Sequence, residues 1–498
     1  MSHSVVSWLP VWITLLPLVG TGLIYVVEQR SWKWRNGLTV IVSALTCVMV
    51  AAMYPYIARG QLLTKAFPDI LPPLGLSFRV DPVAFLMAAI IALVWLAVAV
   101  YSLAYMVREH HKKRYYPFLT LILGGSLGVV LAGDLFTFFV FFEFMSLASY
   151  VLIIQEQTPE AMKAGYKYLI MTICGSLLLF FGIISVFELA GTLTLGTGGI
   201  IGAPSNLALG AFIAFVLGFG IKAGIFPLHV WLPDAHPVAP SPASALLSGL
   251  LLKVGAYGFL RIVYNVYGIE LLRRTHWLEP VVYMAVISIL LGSCVAILQD
   301  DLKRRLAYSS VGQMGYIMLG IAVLSERALF GAIFHIFSHA FMKAALFLVA
   351  GAFAHKTGKR YVSQLEGIGM RMPLTLGAFG LASLSMVGIP PLAGYLSKWQ
   401  LSVGMLDVGR PWLVVVMLLS SLMNAVYLFP VVINGFFGAD DSYPEFPGIR
   451  WENETDVKML VPILVLAGAI LVFAIYPNSL PFSLSGFSAR YLFQLGGW

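Results

Sequence analysis

Lys222, Lys253, Lys343 and Lys398 each stand inside a stretch of sequence that is otherwise apolar and long enough to cross a bilayer. A charge at the middle of a membrane costs at least about 2.5–3.5 kcal/mol, and such residues mark ion or proton paths. Helix packing alone does not require that cost. Glu143, His335 and His339 lie in similar surroundings. Together these seven residues have the chemistry of a proton path: ammonium and imidazole groups that can gain and lose a proton, and one carboxylate to set their balance.

Each has a purely structural alternative. Glu143 lies in GDLFTFFVFFEFMSLASYVLI, with phenylalanine on both sides. A carboxylate there must be protonated or paired, so it is either half of a static salt bridge or the partner of a mobile cation. Lys222 stands two residues before Gly224 in IKAGIFPLHVWLPDAHP. A broken helix leaves free carbonyls and dipole ends beside that amine; the alternative is a lysine that snorkels to the interface. A Glu143–Lys222 contact at about 4 Å is worth roughly 4 kcal/mol at an effective dielectric of 20. Making and breaking it would switch the lysine between charged and neutral.

Lys253 follows Ser244, Ser248 and Gly249, whose small size leaves room for water beside the amine; a fixed interhelical hydrogen bond is the alternative. In HIFSHAFMK, the spacing i, i+4, i+8 places His335, His339 and Lys343 on one helix face, about 6 Å apart per step. Two histidines at that spacing suit zinc, but the glutamate of HExxH is missing and a cation lies one turn on. No metal is expected. A water-linked relay fits better, because imidazole can accept and donate on opposite sides; buried structural histidines remain the alternative. Lys398 follows a second Gly/Pro break, MVGIPPLAGYLSKW, and would otherwise be a solvated helix end. Asp81 and Asp134 sit at the starts of apolar stretches and read as helix caps.

These residues need helices to hold them, and the composition supplies little else. Of 498 residues, 59% are hydrophobic and 11% charged, with a mean hydropathy of +0.88. Segments that are apolar all round for about 20 residues span membranes. Fourteen such spans are expected, at roughly 7–27, 37–57, 81–107, 116–132, 135–154, 161–190, 206–226, 240–264, 278–298, 306–324, 328–354, 372–402, 411–437 and 458–476. The first lacks a basic leader and a small-residue cleavage site, and reads as an anchor. Cys47, Cys174 and Cys294 fall singly in apolar spans, which supports neither a disulfide framework nor a metal-binding pair.

The net charge of +8 does not indicate nucleic acid, because the basic residues cluster in short loops. Odd-numbered loops hold eighteen of the 31 Lys and Arg, and even-numbered loops eight. That bias places the odd loops in the cytoplasm and both termini outside. The two breaks also match. AGIFPLHVWL and VGIPPLAGYL share Gly, Ile, Pro, Leu and a final Leu at equal offsets. Paired broken helices in two halves of a transporter point to an ion site and to an internal repeat.

The segment FGIKAGIFPLHVWLPDAHPVAPSPASALLSGLLLKVGAYGFLR closely resembles the signature of the antiporter-like, proton-conducting membrane subunits of respiratory complex I, Mrp-type cation/proton antiporters and membrane-bound hydrogenases. GDLFTFFVFFEFMSLASY, DDLKRRLAYSSVGQMGYI, FHIFSHAFMKAALFL and GIPPLAGYLSKW resemble the same family's other motifs, so the likeness covers about 115–435. It implies an all-α integral membrane protein of about fourteen transmembrane helices. Helices 4–8 and 9–13 would form two inverted five-helix repeats, with helices 7 and 12 broken. The expected organisation is one polytopic membrane domain: helices 1–3 in 1–110, the repeats in 115–265 and 278–437, then an acidic loop, a last helix and a short tail in 438–498.

By motif, the resemblance makes Glu143 the helix 5 glutamate that pairs with Lys222 of helix 7, and Lys253 the central lysine of helix 8. His335, His339 and Lys343 would link that lysine along the midplane to Lys398 in helix 12. The short tail makes the chain most like the D-type component of an Mrp-type monovalent cation/proton antiporter or a hydrogenase counterpart. The implied function is proton translocation within a multisubunit complex of the inner membrane, with loading near Glu143 and Lys222 and release by Lys398. The chain shows no redox site and no cofactor is expected in it; whether it belongs to a proton-translocating oxidoreductase stays open. Partners would be other membrane subunits, the lipid bilayer and protons, with Na+ as a second candidate ion. A complex I-like or hydrogenase-type pump, or a non-transporting scaffold or bicarbonate-uptake partner, are the alternatives.

Overall fold

The computed structural model of the protein describes residues 4–70, 72, 74–196, 198–438, 454–475 and 480–494. The acidic segment 438–457 therefore falls mostly outside the described residues. Among the described residues, eleven helices are long and apolar enough to cross a membrane. The elements that matter for function are α1 (Leu9–Glu28), α2 (Trp32–Ala51), α3 (Pro82–Tyr105), α4 (Lys112–Val130), α5 (Leu135–Ile153), α6 (Pro159–Ala190) and α7 (Asn206–Ala223). After α7 come α8 (Ser241–Tyr267), α9 (Glu279–Ile297), α10 (Leu302–Ala322), α11 (Glu326–Thr357), α12 (Pro373–Val387), α13 (Ala393–Asp407), α14 (Pro411–Phe437), α15 (Val457–Ile475) and α16 (Leu480–Gln494).

Capping residues set where these helices begin. Asp81 accepts from the Ala84 amide at 2.9 Å and Asp134 from the Thr137 amide at 2.7 Å. Thr158, Ser205, Asp301 and Ser325 do the same for α6, α7, α10 and α11. Each satisfies an amide that the first helical turn leaves without a carbonyl.

Helices α8 and α11 run through the interior. The apolar windows of α8 and α11 are buried along their whole length, whereas in those of α1, α2 and α14 most residues are half-buried or exposed. A helix that is apolar all round can be sheathed by others, and these two carry Lys253 and the His335–His339–Lys343 face. Glycine allows the close approach. A Cβ on Gly249 of α8 would meet the Ala340 carbonyl of α11 at 3.3 Å. A Cβ on Gly255 would lie 2.8 Å from the Ala223 amide nitrogen of α7.

The basic loops gather at one end of the molecule. Arg108 reaches the His355 carbonyl, Arg114 the carbonyls of Ile154 and Gln155, and the Leu302 amide the Arg360 carbonyl. The all-helical expectation misses one feature at the opposite end, a small sheet. Strand β1 (Ser4–Val6) pairs in parallel with β2 (Leu62–Phe67), and β2 runs antiparallel to β3 (Leu76–Val80). The segments Leu62–Phe67 and Leu76–Val80 lie between spans, where extended backbone must find its own hydrogen bonds. The short tail is also helical in part. Phe482 of α16 packs on Phe330 and Phe334 of α11, and the Tyr491 hydroxyl accepts from Arg79 at 3.0 Å.

Candidate functional site

Both breaks form at glycine. Helix α7 ends with Gly224 at φ +68° and α12 with Gly388 at φ +93°, left-handed conformations that a Cβ disfavours. Pro227 and Pro391 follow at equal offsets, each after a cis peptide bond. At the first break the Trp231 indole donates to the Ile221 carbonyl at 2.8 Å, satisfying one of the acceptors that the broken helix frees.

Lys222, in the last turn of α7, is buried. Its ammonium donates to Ser146 Oγ at 2.9 Å and to the Tyr168 hydroxyl at 3.0 Å, with the Phe142 ring 5.6 Å away. Glu143 is half-buried and accepts from Ser176 Oγ of α6. The direct Glu143–Lys222 contact expected from the sequence is not made. Ser146 lies one turn on from Glu143, on the same face of α5, and takes the ammonium in its place. The two charges remain within electrostatic reach of each other.

Lys253 follows a π-helical turn, Leu247–Leu251. Such a turn disturbs the regular hydrogen-bond ladder and is frequent at functional sites. The Lys253 ammonium donates to the Ser248 carbonyl. Among the described residues no carboxylate pairs with it. Ser248 Oγ pairs with Ser310 Oγ at 2.7 Å, which joins α8 to α10. The neighbouring Ser309 receives Lys343, whose ammonium also donates to the Leu306 carbonyl at 2.8 Å. Two adjacent serines on α10 thus lie between the segment that holds Lys253 and the ammonium of Lys343, both of them donating to the Leu306 carbonyl.

The histidines continue the line. The His335 and His339 rings stack at 5.5 Å with an interplanar angle of 6°. His335 Nε2 faces Gln313 Oε1 at 3.0 Å, and its Nδ1 faces Ser397 Oγ at 2.8 Å. His339 is fully buried and has no partner at either nitrogen among the described residues. Leaving such a group unsatisfied costs about 1–3 kcal/mol. Ser397 adjoins Lys398, which is buried and not a solvated helix end. The Lys398 ammonium folds back across the break and donates to the carbonyls of Met386 at 2.8 Å and Val387 at 3.0 Å, and to Ser421 Oγ at 2.9 Å. It sits at the negative end of α12 as Lys222 sits near that of α7.

All seven sequence-predicted residues therefore lie on the connected helices α5, α7, α8, α11 and α13. The groups that link them are not singled out by the sequence: Ser146, Tyr168, Ser176, Ser309, Ser310, Gln313 and Ser397. Small polar residues at helical spacing inside apolar spans are the one signal that points to them. Asp81, too, has a second role beyond its cap on α3. It makes a buried bidentate pair with Arg261, at 2.6 and 2.7 Å. Arg261 also donates to the Tyr257 hydroxyl at 2.8 Å. Lys253, Tyr257 and Arg261 follow one face of α8 at intervals of four, so this pair anchors α8 two turns from Lys253.

A helical membrane chain with two broken helices and a buried line of lysines and histidines defines a class of ion-translocating protein. Residues 132–424 match the family described as NADH:quinone oxidoreductase/Mrp antiporter, transmembrane region, and residues 73–116 match the N-terminal region of complex I chain 5. The chain belongs to this family of antiporter-like membrane subunits. It is 36% identical to NADH-quinone oxidoreductase subunit N of Desulforudis audaxviator over 94% of its own length and 96% of that protein's. It is 30% identical to the D-type component of the Na(+)/H(+) antiporter of Alkalihalophilus pseudofirmus, over 96% and 94% of the two chains. Its fold matches a chain of the archaeal membrane-bound sulfane sulfur reductase with a TM-score of 0.89 and 24% identity, covering 98% of each chain.

Proposed function

We propose that this chain is the proton-translocating subunit of a multisubunit inner-membrane complex. It moves H+ laterally between Glu143 and Lys398 by way of Lys222, Lys253, Lys343, His339 and His335. The carrying observation is Lys253. Lys253 is a fully buried amine bonded to the Ser248 carbonyl, with no carboxylate beside it among the described residues, and an ionisable group held at such depth marks an ion or proton path. The hydroxyl and amide groups beside the other members can each accept from one neighbour and donate to the next.

In this reading the protein has fourteen spans. The inverted repeats are 115–265 and 278–437, helices 1–3 lie in 1–110, and 438–498 forms the closing segment. Both termini face outside. The equal offsets of Gly224 and Gly388, and the cation at each break, support the repeat. The gathered basic loops support the orientation. Each proton moved against 100 mV needs about 2.3 kcal/mol, and partner subunits or a counter-ion supply it. The identity to the oxidoreductase component of Desulforudis favours a redox-driven complex. The full-length likeness to the Na(+)/H(+) antiporter component of Alkalihalophilus favours cation exchange of the Mrp type. The proteins that purify with this chain separate the two: quinone-reactive proteins indicate the first, small antiporter components the second.

The test is Lys253→Ala in the assembled complex, read by pH-gradient-coupled transport in membrane vesicles. Transport should be lost while assembly persists. Wild-type coupling in an assembled complex would refute the carrier role and leave the chain a scaffold.

A further inference from the structure

At the basic end of the molecule a cavity of ≈ 390 Å³ opens between the turn after α3, the turn between α5 and α6, and the starts of α8 and α10. Glu109 and Glu156 both line it. Their two turns are tied together. Gln155 donates to the carbonyls of His110 and His111 at 3.0 Å, and Arg114 donates to the carbonyls of Ile154 and Gln155 at 2.8 Å. The backbone therefore holds two carboxyl groups face to face. Burial, with Glu109 opposite, raises the Glu156 carboxyl from 4.5 to about 7. One of its oxygens is buried without a partner among the described residues. The neighbouring Glu109 carboxyl disfavours ionisation of Glu156, which therefore retains a proton near neutrality.

The other groups that face this pair are mostly cationic or neutral. Lys303, at the start of α10, donates to the Ala239 carbonyl at 2.7 Å and acts on Glu156 with Arg360 from the loop after α11. Arg114 reaches it from α4. Glu160 of α6, Thr158 at its cap, Asp301 beside α10, and the phenols of Tyr105 of α3 and Tyr361 after α11 complete the polar lining.

Behind the wall formed by Pro237 and Ala350 lies a histidine that the lateral path does not use. His236 is fully buried, and neither ring nitrogen has a partner among the described residues. Its ring stacks on Phe347, one turn before Ala350, at 4.7 Å. Ser244 Oγ fixes its backbone carbonyl at 3.0 Å. The cations that act on it are Lys343, Lys303 and Lys253. His236 thus stands between the cavity and the two inner lysines of the path.

We infer that this cavity is where the chain loads protons, that the facing carboxyl groups of Glu109 and Glu156 hold the incoming proton, and that His236 passes it to Lys343 and Lys253. The inference rests on the lateral-path reading and places loading at the middle of that path, with the charge on Lys222 still setting the balance at Lys253. The carboxylic O–H gives its proton through water to one imidazole nitrogen. The other nitrogen releases its proton to a neutral lysine amine. The carboxylate left behind is reprotonated from bulk water, so charge is conserved across the cycle.

The test uses the intact complex in proteoliposomes, with dye-reported proton uptake measured against the pH on the cavity side. Wild type should show a transition near pH 7. Glu156→Gln and Glu109→Gln should each slow uptake about tenfold at neutral pH, the effect of one pKa unit of lost proton affinity, and abolish that transition. Glu156→Asp should keep the transition, which a merely structural role would not require, and it carries the test if the glutamine variants fail to assemble. In infrared difference spectra a carboxylic-acid band should titrate near neutrality in wild type and vanish in Glu156→Gln. Wild-type uptake and pH profile in both glutamine variants would overturn the inference. If Lys253→Ala still abolishes transport in that case, only the loading site is wrong; if Lys253→Ala transports normally, the lateral path has failed first.

Discussion

Gly255→Ala changes no titratable group, yet it should disable the path at Lys222. A Cβ at this position of α8 would stand 2.8 Å from the Ala223 amide nitrogen and 3.0 Å from Lys222 Cβ, where ordinary contact begins at 3.4 Å. The nearest obstacle is backbone, so no side-chain rotation relieves it. Helices α7 and α8 must move relative to each other by about 0.6 Å. The Lys222 ammonium is held by bonds of 2.9 and 3.0 Å. A displacement of that size either takes them to the limit of hydrogen bonding or drives the ammonium into its partners. Overpacking of this kind costs about 1–3 kcal/mol, which a bundle of this size can absorb without unfolding. Misplacing a reacting group by about 1 Å can cost about a hundredfold in rate, so a tenfold to hundredfold loss of proton flux is expected. The assay is uptake by vesicles holding equal amounts of assembled complex. Gly377→Ala is the control, since a Cβ there meets nothing within 4 Å. Wild-type flux in Gly255→Ala, with the complex assembled, would show that the geometry at Lys222 is irrelevant to transport.

Two further outcomes follow from charges at the ends of the bundle. Asp81→Asn leaves Arg261 buried without its carboxylate and should cost about 3–5 kcal/mol, seen as a lower thermal unfolding midpoint of the purified complex; the additional variant Arg261→Met should recover part of it. Glu156 has its folded pKa raised to about 7 from 4.5 by burial and by Glu109. Stability from this group is full below the unfolded value and declines as pH rises through the folded one. Between those two values the wild-type midpoint should therefore fall with pH. Glu156→Gln should flatten that decline, and an unchanged slope would contradict the placement of the two carboxyls.

Much of the architecture is visible in the chain because the bilayer imposes it. Span length, the two Gly/Pro breaks, and the all-round apolar character of the segments around Lys253 and His339 follow from hydropathy and from the backbone limits of glycine and proline. The capping roles of Asp81 and Asp134 follow from their positions just before apolar runs. Contacts across the bundle are a different matter, since they depend on how each helix is rotated and how deep it sits. Ser146 in place of Glu143 as the partner of Lys222 is a matter of one helical turn. The pair Asp81–Arg261 joins residues 180 positions apart, and hydroxyls such as Ser309 and Ser310 barely alter hydropathy. His236 is hard to single out because it lies beyond the break, where the helical period that marks His335 and His339 is lost. The sheet and the helix Leu480–Gln494 lie between or after the spans, where the bilayer imposes no pattern.

The central claim is that the buried residues form one path in series. It is tested by measuring proton flux in the assembled complex for Lys253→Ala, Lys398→Ala and the double variant. Groups that act as a unit are strongly non-additive. A single path predicts that the double variant transports no worse than the poorer single variant. A loss equal to the product of the two single losses would mean that Lys253 and Lys398 act independently, and it would contradict the lateral path.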